Sequence, residues 1–255
     1  MTSIAQQNTH QSRLCQYGNA INSHDLVKVI AVITMIVDHV GMYLFPHELT
    51  FRAIGRMAAP LFFFLIGYTL QYRFKAKLLA YGLLLSSIYL QLSVKYQPID
   101  ILLNFILIRF IIPIANLANQ SITNKIITFM LLFCLAYFIH IPVEYGIFGL
   151  LISLGGYLLA KQDPLAKAWI IASMLAYILD CHLTFPFHGV NFIMVIALSS
   201  INCLWMCHYS LKTYNTVTFC RPILLFISRY SLEIYVSHII ILIIAGLFFQ
   251  NIISI

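Results

Sequence analysis

Charged side chains are scarce in this chain: Asp, Glu, Lys and Arg make up 9% of its 255 residues, where a soluble domain carries about 25%. Acids are scarcer than bases, with 8 Asp and Glu against 15 Lys and Arg, so the formal charge is +7. The apolar share is 61% and the mean hydropathy +0.90, which excludes an ordinary soluble domain. Apolar segments of about ten alternating residues, the mark of a membrane barrel, are also missing. Lipid satisfies no backbone polar group, so long apolar runs must be helices. The expected fold is all-α: a polytopic integral membrane helical bundle embedded in a lipid bilayer. The positive excess lies between apolar runs and forms no basic stripe, so no nucleic acid partner is expected. Of the 6 cysteines, Cys134, Cys181, Cys203 and Cys207 lie in or beside apolar runs and count as small hydrophobes. No disulfide is assigned.

Residues 1–25, from MTSIAQQNTH to NSHD, are polar and carry no apolar core followed by a cleavage site. They are expected to form a cytoplasmic N-terminal tail, and residues 26–255 a single transmembrane domain. A run of about 17–25 apolar residues crosses the hydrocarbon core. That ruler gives nine spans, at 27–45, 53–71, 78–94, 99–117, 126–141, 145–160, 165–179, 190–206 and 230–250. Pro46, Pro98, Pro142, Pro164 and Pro186 stand in the short connections, as helix breakers should. The stretch FCRPILLFIS at 219–228 is half a span long and reads as a short interfacial or re-entrant helix. With nine crossings, one face collects Arg13, Lys28, Arg73, Lys75, Lys77, Lys125, Lys161, Lys167, Lys212, Arg221 and Arg229. The other collects Arg52, Arg56 and Lys95. The basic face is the cytoplasmic one, which puts the N-terminus inside.

Against that background the ionisable residues within spans stand out. Asp38 and His39 lie side by side in VIAVITMIVDHVGMYLF, and a charge at such depth costs about 2.5–3.5 kcal/mol. His39 is expected about 18 Å above the start of its span, somewhat past the middle of the hydrocarbon core. Lys28 is three helical turns below it on the same face. Asp38 points about 100° away from His39, so an arginine is its expected partner. Arg52 and Arg56 at i and i+4, and Arg109 inside the fourth span, need partners of their own. The last span brings Glu233 and, about 12 Å into the membrane, His238; Asn104 and Glu144 are further polar candidates. Asp180, His182 and His188 match no standard ligand spacing, so no metal is assigned.

The segments LVKVIAVITMIVDHVGMYLFP and FRAIGRMAAPLFFFLIGYTL, together with EYGIFGLL and SRYSLEIYVSHIIIL, resemble the TraX family, whose conjugative-plasmid members acetylate the N-terminus of pilin. More distantly, the chain is similar to membrane acyltransferases of type three. Their first helix carries an arginine, ten residues and an essential histidine; Lys28 and His39 keep that spacing, with lysine in the arginine's place. The resemblance implies an acetyltransferase of the bacterial inner membrane, taking acetyl-CoA from the cytosol and acting on pilin or another envelope acceptor. On that reading His39, Asp38, Arg56 and His238 are the catalytic set. Lys28, Arg52, Arg109, Asn104, Glu144, Glu233 and Arg229 bind substrate or cofactor. His39 could be a general base or an acyl carrier. Two alternatives remain open from the sequence: an acyltransferase for an envelope sugar, and a proton-coupled secondary transporter, since buried Asp, His and Arg also build proton relays.

Overall fold

The computed structural model describes residues 20–70, 76–91, 99–138, 144–214 and 220–253. Helix α1 spans Ser23–Tyr43, and its 21 residues rise about 31 Å. Its start is written in the sequence NSHD: the Asn22 side chain accepts from the Asp25 N–H at 3.0 Å, and the Asn22 N–H donates back to Asp25 Oδ2 at 3.1 Å. The helix begins before the expected tail has ended. A two-residue ribbon of β1 (Ile21–Asn22) and β2 (Thr213–Tyr214) then ties that end to the far side of the sequence. Residues 1–19 of the expected tail lie outside the described residues.

Helices α2 (Leu49–Gly55) and α3 (Ala58–Thr69) form one span with a break at Arg56 and Met57. The break has a local cause. Pro60 has no N–H to give to the carbonyl four residues back, and its ring pushes that carbonyl, which belongs to Arg56, aside. Tyr177 Oη donates to the freed Arg56 carbonyl at 2.9 Å, and Asn202 Nδ2 donates to the neighbouring carbonyl of Met57 at 3.1 Å.

The remaining helices are α4 (Ala76–Gln91), α5 (Ile101–Ala115), α6 (Ile122–Phe138), α7 (Gly146–Ala160), α8 (Ala166–Thr184), α9 (Val190–Cys207), α10 (Arg221–Arg229) and α11 (Ser231–Ile253). Helices α1, α3 and α7 form the centre. Around them α1 packs on α10 and α11, α7 on α6 and α8, α8 on α9, and α4 on α5. The α3–α7 crossing is very close, because Gly67 and Gly156 face it. A Cβ on Gly67 would stand 1.7 Å from the Ser153 carbonyl oxygen, and one on Gly156 2.3 Å from that of Phe64. Small residues are how membrane helices let their backbones approach.

The outer surface is rich in large apolar side chains, while several polar and charged ones are buried among the helices. Ile126, Ile127, Met130 and Leu131 of α6 and Ile193 and Leu204 of α9 are exposed, while Asp38, Arg56, Asp100, Asn104, Lys125 and Asn202 are buried. Water would reverse that arrangement and lipid selects it, so this is a helical membrane protein. Five spans among the described residues are long and apolar enough to cross: α1, α2 with α3, α5, α8 and α9. A sixth is added if α10 and α11, bent by 76°, are one broken span. The expected nine therefore shrink to five or six by that measure. Helices do occupy the other three places, but α4 has 16 residues, α6 17 and α7 15. The short helix expected at 219–228 is present as α10.

Candidate active site

Asp38 sits in the elbow between α1 and α2. Its Oδ2 accepts from Arg52 Nη1 at 2.7 Å, and Arg56 Nη2 donates to Oδ1 at 2.9 Å and Oδ2 at 2.7 Å. Gly55 makes room for this carboxylate, since a Cβ there would stand 2.3 Å from Asp38 Oδ1. The expected arginine partner is thus two arginines on one turn of helix. Aromatic faces cover the guanidiniums: Phe185 lies 4.6 Å from the Arg56 guanidinium carbon and 5.6 Å from that of Arg52. Neither guanidinium borders the cavity described below. Arg56, expected as a catalytic group, and Arg52, expected as a binding one, both hold Asp38 in place.

His39 faces the other way and meets α11. Its Nδ1 lies 2.7 Å from His238 Nε2, with the two rings stacked at 4.9 Å between centroids, and Tyr235 leans on both. His238 Nδ1 lies 2.7 Å from the carbonyl of Ile234. Beyond Tyr235, whose hydroxyl donates to Asp100 Oδ2 at 2.7 Å, two acids cap the start of α5. Asp100 Oδ1 accepts from Leu102 N at 2.8 Å and Glu144 Oε2 from Ile101 N at 3.3 Å. Asn104 fixes the turn that presents Glu144, donating to the carbonyls of Glu144 at 2.9 Å and Gly146 at 3.1 Å. Between them Tyr145 adopts the left-handed region, at φ 60°.

A cavity of about 200 Å³ joins these groups. His24, Lys28, Arg109, Asp38, His39 and Glu144 border it, with Phe62, Leu65 and Phe105 forming its apolar flank. It is smaller than the roughly 300–1,000 Å³ of sites for drug-sized ligands, so it suits a slender chain end. Lys28 and His39 do share a face, as the spacing predicts, and both reach the cavity. Arg109 Nε and Nη1 are buried in its wall without a hydrogen-bond partner among the described residues. An unpaired buried guanidinium is costly unless something brings it an anion or a carbonyl.

Other expected residues lie elsewhere. Glu233 pairs at 3.1 Å with Lys77 outside the cavity, both side chains solvent-accessible, and Arg229 does not border the cavity. Arg73 and Lys75, two of the basic-face residues, lie outside the described residues. Asp180 accepts from Thr184, and His182 packs against Phe192. No group of three metal-ligating side chains occurs among the described residues. The sequence reading passed over Tyr235, Asp100 and His24. The motif SLEIYVSH held a signal for the first, since Tyr235 and His238 stand at i and i+3 on one face.

The fold and the cavity define a polytopic helical membrane protein with an ionisable centre buried among its helices. The chain belongs to the TraX family, whose model, described as TraX protein, matches residues 23–246. It is also similar to the uncharacterized protein RP591 of Rickettsia prowazekii (strain Madrid E), 28% identical over 220 residues, which cover 86% of this chain and 84% of that protein. No solved structure matches the chain.

Proposed function

We propose that this protein is a membrane-embedded acetyltransferase that moves an acetyl group from cytosolic acetyl-CoA to an amine at or beyond the membrane, the N-terminus of a conjugative pilin. The observation that carries this reading is the cavity, with Lys28 and His24 at the foot of α1 and His39 about 16 Å higher on the same helix. Cationic groups at that foot suit the phosphates of the donor. The cavity is narrow enough that only the thioester arm enters it, and Arg109 offers unpaired N–H groups to the arm's oxygens along the way.

At the inner end the chemistry is acyl transfer. His39 takes a proton from the acceptor nitrogen as that nitrogen attacks the thioester carbonyl carbon. The C–N bond forms, the C–S bond breaks, and the imidazolium returns the proton to the departing thiolate. Glu144, in the same cavity, carries an ion-pair partner on no described side chain and suits the acceptor's ammonium group, which releases one proton to solvent before its nitrogen attacks. A neutral envelope sugar would present hydroxyls and no cation to Glu144, whereas an amino sugar would present one, so the two acceptors are separated by which of them gains the acetyl group.

Nine crossings with a cytoplasmic N-terminus in the bacterial inner membrane complete the reading. The pairs that join chain ends support the alternation. Ser23 and Ser210, Asp25 and Ser228, Lys77 and Glu233, and Lys125 and Asp163 all join segments that nine crossings put inside. Glu144 with Ile99, and Thr50 with Asn191, join segments that it puts outside.

The test uses membranes supplied with labelled acetyl-CoA and an acceptor peptide. His39→Ala lowers transfer about 100-fold or more on this reading, the size of a lost general base. Full activity in that variant would overturn it. Binding of acetyl-CoA by the purified protein separates an acyltransferase from a proton-coupled transporter, which has no use for it.

A further inference from the structure

We propose that His238 is a positioning residue that fixes the tautomer of His39, leaving His39 Nε2 as the bare nitrogen turned to the cavity. The proposal rests on the acyltransferase reading for its chemical use, but its geometry stands apart from it. A carbonyl oxygen only accepts, so the 2.7 Å contact between His238 Nδ1 and the Ile234 carbonyl puts the hydrogen on Nδ1. In a neutral imidazole the other nitrogen then carries the lone pair. His238 Nε2 must therefore accept from His39 Nδ1 across their 2.7 Å contact, which places the His39 hydrogen on Nδ1. His39 Nε2 is left unprotonated, and it makes no hydrogen bond to any described residue.

Four atoms in series, a backbone carbonyl oxygen and three ring nitrogens, thus set one protonation state at the cavity wall. His39 borders the cavity and His238 does not, so His238 acts through its neighbour, as the third member of a nucleophile–base–orienter set does. The usual orienter is a carboxylate, and here the adjacent carboxylate, Asp38, is committed to Arg52 and Arg56 instead. A second imidazole anchored on α11 takes that place. When Nε2 gains a proton from the acceptor, the positive charge is shared over the stacked rings. It has no exit at the far end because the Ile234 carbonyl cannot take a hydrogen. The proton must leave by the nitrogen through which it came, toward the thiolate.

Three variants and one spectrum test this. Glutamine reaches to the position of Nε2 and can accept from His39 while donating to Ile234, so His238→Gln keeps transfer within a few-fold of wild type. His238→Lys can only donate and His238→Met offers no donor and at best a weak acceptor, and each loses about 10–100-fold, as when an orienting partner of a working imidazole is removed. Nitrogen NMR of the ¹⁵N-histidine-labelled protein, with His39→Gln to assign the signal, shows His39 bonded to hydrogen at Nδ1 and bare at Nε2. In His238→Met that signal becomes a mixture of tautomers. A wild-type spectrum with the hydrogen on His39 Nε2, or full activity in His238→Met, overturns the proposal. If His39→Ala itself keeps full transfer, the acyltransferase reading falls, while the spectrum still decides the tautomer.

Discussion

At the scale of single residues the account turns on one buried carboxylate. Asp38 is held by two guanidiniums, and removing one partner of a buried, hydrogen-bonded ion pair costs about 3–5 kcal/mol because the other charge is stranded. Arg56→Gln is therefore expected to lower the thermal midpoint of the purified protein strongly. Gly55→Ala, which adds a single methyl group 2.3 Å from Asp38 Oδ1, should reduce transfer more than its size suggests by turning that carboxylate. Transfer assays on the two variants, with their melting curves, check both expectations; a wild-type melt for Arg56→Gln would contradict the clamp. Much of this site was legible in the sequence. The lysine and histidine separated by ten residues pointed to one shared face, and an acid surrounded by apolar residues required arginine. His238 was placed at the right depth, but its contact with His39 was not legible, because the two are 199 positions apart and no local period links them. Asp100 was passed over because it stands second in the expected span 99–117, where an acid at a helix start reads as an exposed cap. Burial under Tyr235 is a tertiary fact.

Helices are held by close approach rather than by burial from water, since lipid rewards contact and hydrogen bonds instead. The α3–α7 crossing shows it, with Gly67 and Gly156 facing backbone and Ser153 Oγ donating to the Phe63 carbonyl at 2.8 Å. Gly67→Ala must part the two helices, and overpacking of this sort costs about 1–3 kcal/mol. The measurement is the loss of folded protein on titration with a denaturing detergent, and an unchanged midpoint would contradict the crossing. The sequence reading took α2 and α3 as one continuous span. The break at Arg56 follows from Pro60, which lies in the fourth position beyond, and Tyr177 and Asn202 bond to the carbonyls of Arg56 and Met57 at it. Those partners come from α8 and α9, beyond the reach of a local pattern.

For the whole molecule the question is which side of the membrane each connection between helices faces. Apolar length alone gave nine spans, whereas three of the helices are short, and a thin or tilted element is invisible to a residue count. On the proposed alternation, with the Lys- and Arg-rich face inside, Ser121 lies on the inner surface and His188 on the outer one. In a cysteine-free background, Ser121→Cys should react with an impermeant thiol reagent only in inverted vesicles, and His188→Cys only in intact cells. Labelling of both from the same side would contradict the alternation. Such a layout lets a donor made inside meet an acceptor that gains its free amine outside, at a depth both can reach.

The most direct test of the central claim is the mass of an acceptor peptide incubated with acetyl-CoA and membranes bearing either the wild-type protein or His39→Ala. The account predicts a gain of one acetyl group with the wild type and none with the variant. An acceptor acetylated equally by both, or by neither, contradicts it.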